Sequence, residues 1–276
     1  MFNHLAASRE LILTLLSRRE NRELVRPGAS LGTLGLSIEI YTYLVCSNYV
    51  TTYSTATERT LTVNPFVMPL EEMERLPHFG ALFGGSHELF SLIPDISLVA
   101  SRRLAEEAGG STEPSASLTR LYDEIYYRVK SWVMPPKQPG EGIQDWEQKR
   151  DAAELLRQTL FMYILAAMAG SIVPCDTRLT IRDHLLIFFS YSPKVATSPY
   201  HANILWPIVI AGSCTTRPEA QVLLRLGMQS GAFRLRHVNK FGDILQLLWD
   251  DPDPRAYGPY GLHLIMEKHG LSTGIA

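Results

Sequence analysis

Cysteine is scarce, and what there is does not cluster. The 3 cysteines are Cys46, Cys175 and Cys214. No two of them have zinc-ligand spacing, and an odd, scattered set builds no disulfide framework. They read as buried thiols of a reducing compartment. An N-x-S/T sequon is also missing, as in a chain that never meets the secretory pathway. Charge of one sign is lacking too: 26 Lys+Arg face 28 Asp+Glu, a net charge of −2. A balanced chain has no global basic field to hold a polyanion. The run Arg18, Arg19, Arg22 is interrupted by Glu20 and Glu23 and reads as a solvated helix face. The most apolar run, Leu160 to Val173, falls short of the roughly 20 residues of a spanning helix. The N-terminus is amphipathic and carries Glu10, unlike a signal peptide.

Phosphate-binding glycine loops are missing, both G-x-x-x-x-G-K and G-x-G-x-x-G. No alternating strand of useful length, no βαβ rhythm and no internal repeat occurs. What is present is helical spacing. Leu5, Leu11, Ile12, Leu15 and Leu16 place one apolar face on a helix over about 4–25, ended by Pro27-Gly28. Leu34, Ile38, Tyr41 and Val45 do the same over about 31–54. An irregular stretch follows to Pro69, then a short helix from Leu70 to Leu76. Ser86 to Ala108 reads as helix broken at Pro94, and Gly109 to Pro114 is a breaker cluster. Leu118 to Trp132 is helical, and the segment from Met134 to Gly142 is a loop by its Pro and Gly content.

Ile143 to Val173 reads as one long helix, polar early and apolar late, whose second half enters a core. Thr177 to Ser190 is the next. Ser198 is the expected N-cap of a helix with Pro199 at its first position and a kink at Pro207. Thr216-Arg217-Pro218-Glu219 reads as a capping box opening a helix through Leu226. Val238 to Trp249 and Tyr260 to Lys268 complete the set. The composition, 46% hydrophobic and 20% charged, supplies enough apolar material for one sizeable core. The expected fold is all-α, a single irregular bundle of antiparallel helices over residues 1–276.

Candidate chemistry is thin. Asp250-Asp251-Pro252-Asp253 suggests the Asp-rich magnesium-diphosphate motif of isoprenoid synthases, whose carboxylates converge from one helix face. Pro252 and Pro254 break the helix there, so the cluster reads as a turn. His87-Glu88 begins like a zincin motif, but Ser91 stands where the second histidine must be. His184 and His201 read as local hydrogen-bonding residues. No catalytic residue, metal ligand or cofactor is expected. Trp206 and Trp249 read as core anchors, with a ligand pocket between helices as the competing use.

One longer pattern remains. Leu205-Trp206-Pro207, continuing to Ala211-Gly212, is an apolar proline-containing helix; a later amphipathic helix closes in Leu245-Gln246-Leu247-Leu248-Trp249. Upstream stand His4-Leu5-Ala6-Ala7-Ser8-Arg9-Glu10-Leu11-Ile12 and Gly85 to Ile93, followed by Ile96-Ser97-Leu98-Val99-Ala100. In this order the segments resemble the fungal-specific transcription factor domain. Ala7-Ser8 stands where that family prefers Gly-Ala. The resemblance implies structural roles for Trp206, Pro207, Ala211, Gly212 and Trp249. It also implies a nuclear transcription regulator, or the effector-sensing part of one, serving a metabolic or secondary-metabolite pathway. Family members usually carry a six-cysteine zinc cluster and several helices ahead of the segment that here begins at His4. Neither is found, so the chain is read as an N-terminally truncated form of the domain.

On that reading the chain is no enzyme and binds no DNA specifically by itself. Its expected partners are another protein, a second copy of the chain, or a small-molecule effector, and not a membrane. The alternative is an all-α small-molecule-binding protein or enzyme that has reused the fold.

Overall fold

The apolar spacings fold as helices. A computed structural model describes residues 2–22, 34–49, 65–76, 79–80, 82–229 and 236–271. Of the described residues 74% are helical, and no strand occurs among them. In chain order the helices are α1 (Phe2–Arg22), α2 (Leu34–Tyr49), α3 (Leu70–Met73), α4 (His87–Phe90), α5 (Ile93–Ala108) and α6 (Ala116–Ser131). Then come α7 (Ile143–Ala169), α8 (Cys175–Ala196), α9 (Leu205–Ser213), α10 (Pro218–Gln229), α11 (Arg236–Asp250) and α12 (Gly258–Lys268). A 3-10 turn, His201–Ile204, leads into α9. The expected end of the first helix at Pro27-Gly28, residues 50–54 of the second, and the side chains of Arg18, Arg19 and Arg22 lie outside what is described.

Apolar side chains form two clusters. The larger is centred on α9 and on the apolar half of α7, and α5, α8, α11 and α12 pack around it. The smaller joins Leu5 and Ile12 of α1 to Leu34, Ile38, Tyr41 and Val45 of α2, closed by Met73 and Leu76. Leu44, Tyr49 and Phe79 touch both. Every residue of α9 is buried, as expected of a helix that is apolar on all sides. α7 has the length and apolar content of a spanning helix, but 67% of its most apolar window is buried inside the fold.

Several boundaries depart from the sequence reading: α3 ends at Met73 rather than Leu76, Pro94 lies inside the first turn of α5 instead of breaking a helix, and α10 runs past Leu226 to Gln229. α7 ends at Ala169 rather than Val173, because Gly170 turns the chain with φ 84° and ψ −144°. α8 begins at Cys175 and runs past Ser190 to Ala196, with Pro193 inside it. Proline there cannot donate to the Phe189 carbonyl. The Ser192 hydroxyl reaches that oxygen at 3.5 Å instead.

Two buried ionic groups tie turns to helices. Arg103 of α5, 5% exposed, donates to the carbonyls of Ser111 (3.4 Å) and Thr112 (2.7 Å). It also pairs with Glu107 at 3.4 Å. Glu107 in turn accepts the Ser171 N–H at 3.0 Å, so one network holds the turn after α5 and the turn after α7. Glu39 of α2 is fully buried. Its carboxylate accepts the backbone N–H of Leu82 at 3.1 Å and of Phe83 at 2.7 Å.

Candidate functional site

Trp206 is completely buried. Its backbone hydrogen-bonds the hydroxyl of Tyr43, which ties the start of α9 to α2. The indole Nε1–H has no hydrogen-bond partner. Pro207 stands third in α9 rather than in the middle of a helix opened at Pro199. The preceding residues form the 3-10 turn, so Pro207 falls in the first turn of α9, where its missing N–H would have been unpaired anyway. Ser198 caps no α-helix; its Oγ accepts the Tyr200 N–H at 3.1 Å in a local turn. α10 opens at Pro218, so Thr216 lies one residue too early to be its N-cap.

At the other end of α9 the structure brings Gly212 and Trp249 together. Trp249, partly buried, donates its indole N–H to the Gly212 carbonyl at 2.9 Å. The same carbonyl accepts the Thr215 N–H at 3.1 Å, so it takes two donors where the helix ends. α9 and α11 approach closely at Gly212: a Cβ there would lie 2.6 Å from Leu245 Cδ1. Leu245 is itself fully buried and has little room to yield. Gly212→Ala is therefore expected to cost about 1–3 kcal/mol by overpacking. Urea melts check it, and a midpoint equal to the parent's would mean that α11 shifts freely.

The other sequence candidates separate. Asp251 pairs with Lys268 Nζ at 2.5 Å and accepts the Asp253 N–H at 2.9 Å. Asp253 pairs with Arg255 at 2.7 Å, and the Arg255 side-chain bond holds its pKa down at about 2. Asp250 accepts from Gln246 at 2.7 Å. Arg178 fixes the same turn, donating to Val173 O (2.9 Å) and Pro254 O (3.1 Å) with its guanidinium 4.2 Å from the Tyr257 ring centre. Each carboxylate thus has its own partner. Among the described residues no three His, Cys, Asp or Glu groups converge on a metal position. His87 bonds Glu74 through Nε2 at 2.7 Å, and His201 bonds the Ser198 carbonyl at 3.0 Å. Cys46 and Cys214 are buried, but Cys175 is exposed. The expectation of buried thiols fails there because Cys175 is the first residue of α8, outside the core.

His184 stacks on Phe161 at 4.6 Å and meets Gln158 Oε1 at 2.6 Å. Burial lowers its pKa below 6.5; Asp183 and Glu154 oppose the shift and Arg157 adds to it. The unfolded chain then binds a proton more readily than the folded one. This contribution is complete above pH 6.5 and is lost as pH falls through the folded pKa. Replacing His184 with Gln should narrow the gap in thermal midpoint between parent and variant from about pH 8 to about pH 5. A gap that widens toward acid would refute the assignment.

No sequence motif marks a cleft of 730 Å³. It opens where the two apolar clusters meet. Tyr49 closes one side, and the irregular segment 65–69 with the start of α3 closes another. The start of α5 brings Pro94 and Asp95, and α6 brings Arg128. The Thr42 hydroxyl donates to Pro65 O at 2.9 Å and ties the irregular segment to α2. The walls are apolar at Phe66, Met68 and Leu70 and polar at Glu71, Ser91, Asp95 and Arg128. Arg128 approaches Asp95 at 3.8 Å, both about half exposed. Burial raises the Asp95 pKa, Arg128 lowers it and Glu124 raises it further. Burial likewise raises that of Tyr49, with Cys46 adding to it. Ser91 already donates to Glu88 O at 2.6 Å, and no histidine lines the cleft among the described residues. Apolar walls beside a few polar groups suit holding a small amphipathic molecule. Pro65, Pro69 and Pro94 are the only sequence signal for the cleft.

A family model described as fungal specific transcription factor domain matches residues 3–263. No curated protein and no solved structure matches the chain.

Proposed function

The chain belongs to the fungal specific transcription factor domain family, and from that premise we propose that it is the effector-sensing part of a nuclear transcription regulator. The observation that carries the sensing role is the cleft between the two apolar clusters. A molecule bound there touches α2, α5, α6 and the segment 65–71 at once. Its binding energy therefore bears on how these elements sit together. The pathway we assign to it is metabolic, since an amphipathic cleft with one Asp–Arg pair suits a small polar metabolite with an apolar body. DNA contact falls to a protein partner. A net charge of −2 supplies no phosphate-neutralising face.

Two measurements test this. Thermal-shift titration of the purified chain with small acids, amines and phenols should find a stabilising ligand. A ligand at about a hundredfold its Kd adds about 2.7 kcal/mol. Arg128→Ala should abolish that gain and leave the unliganded midpoint nearly unchanged, because the Arg128–Asp95 pair is exposed. Stabilisation that survives Arg128→Ala would remove the cleft from the proposal, and no stabilising ligand at all would remove sensing. For DNA, a gel shift with sheared genomic DNA should show no specific complex at physiological salt; salt-sensitive nanomolar binding would contradict the reading. Light scattering gives the oligomeric state alongside.

A further inference from the structure

The α6–α7 connection is built from Pro135-Pro136-Lys137-Gln138-Pro139, all exposed, and Val133 before it is 79% exposed. Each proline fixes its own φ near the polyproline II value and confines the residue before it to extended conformations. Met134, Pro135, Pro136, Gln138 and Pro139 are all constrained in this way. Trp132, just after α6, is already extended, with φ −61° and ψ 136°. A polyproline II helix has three residues per turn, so Val133, Pro136 and Pro139 share one face at intervals of about 9 Å.

The segment is held from one side. Trp146 Nε1 donates to Pro135 O at 3.0 Å, and the Gln138 N–H donates to the Glu141 carboxylate at 2.9 Å. Lys137 Nζ donates to Glu141 O at 2.9 Å, and Lys149 holds the Glu141 carboxylate at 2.6 Å. Gly140, at φ 85°, lets the chain turn back into α7. The result is a stiff, solvated ridge whose apolar side chains support no core.

We propose that this ridge is a docking surface for a small domain that reads polyproline II through a groove of aromatic side chains, of the SH3, WW or EVH1 kind. The P-x-x-P spacing at Pro136 and Pro139 is the form such grooves accept. The anchoring bonds mean that little conformational freedom is lost on binding. Lys137, exposed between the two prolines, favours a groove with an acidic rim.

The test uses the full chain and a panel of purified, isotope-labelled SH3, WW and EVH1 domains. At least one domain should show saturable shifts confined to its aromatic groove. The double variant Pro136→Ala, Pro139→Ala should weaken that binding about tenfold or more. Val133→Ser, on the same face, should weaken it less. All three sites are exposed, so thermal midpoints should fall by no more than the lost proline stiffening, which separates lost docking from lost folding. Groove shifts in no domain of the panel, or binding that persists in the double variant, overturn the proposal.

Discussion

Trp206→Ala is expected to destabilise the protein by about 3–5 kcal/mol. Trp206 is fully enclosed in the larger cluster, on a helix whose every residue is buried. Its removal leaves a cavity that α7, α11 and α12, already packed against α9, cannot collapse to fill. The indole N–H has no partner, so the loss is packing alone and no hydrogen bond goes with it. That separates alanine from phenylalanine. Trp206→Phe loses some contact area but also removes a buried unpaired donor, whose burial costs about 1–3 kcal/mol. It should therefore be much the milder change. Denaturant melts decide: the alanine midpoint falls with an unchanged slope, and an alanine variant as stable as the parent would contradict the packing described.

Gly170→Ala is the second large effect. At φ 84° and ψ −144° the backbone is in a region that side chains with a Cβ enter only under strain. The new Cβ would also overlap the Glu107 carboxylate, with Cδ only 2.6 Å away. Glu107 must then leave the Ser171 N–H, and Arg103 loses a counter-ion in a nearly buried position. Strain and the broken bond together suggest about 2–4 kcal/mol. A double-mutant cycle with Glu107→Ala separates the parts. Removing the carboxylate first should relieve the clash but not the strain, so the two substitutions should cost less together than their sum. Strict additivity would mean that the clash is not felt.

The helical class was legible because apolar spacing such as Leu118, Ile125 and Val129 in α6 reports one buried face directly. The match to the family was legible for a similar reason: Trp206, Gly212 and Trp249 are large or minimal side chains at fixed spacing. What they do locally was not. Trp249 reaches the Gly212 carbonyl across 37 residues, and one-dimensional spacing does not carry that pairing. Two proline-containing helices have other bounds than the spacing predicts. Pro193 continues α8 because Ser192 compensates the lost donor, and Pro207 sits harmlessly in a first turn because a 3-10 turn precedes it. The cleft was invisible in sequence because Asp95 and Arg128, 33 positions apart by their numbers, meet only once α5 and α6 pack. The irregular segment that closes it has no period to read.

The grip of Glu39 on Leu82 and Phe83 has a consequence for how the molecule breathes. These two amides lie in a turn, where hydrogen–deuterium exchange is ordinarily fast. Here each N–H can meet deuterium only after a fully buried carboxylate lets go. Their exchange is then governed by a cooperative opening that includes α2, rather than by fraying of the turn itself. Leu82 and Phe83 should show protection factors near those of α2 amides, and Glu39→Ala should release both to the rate of an open loop.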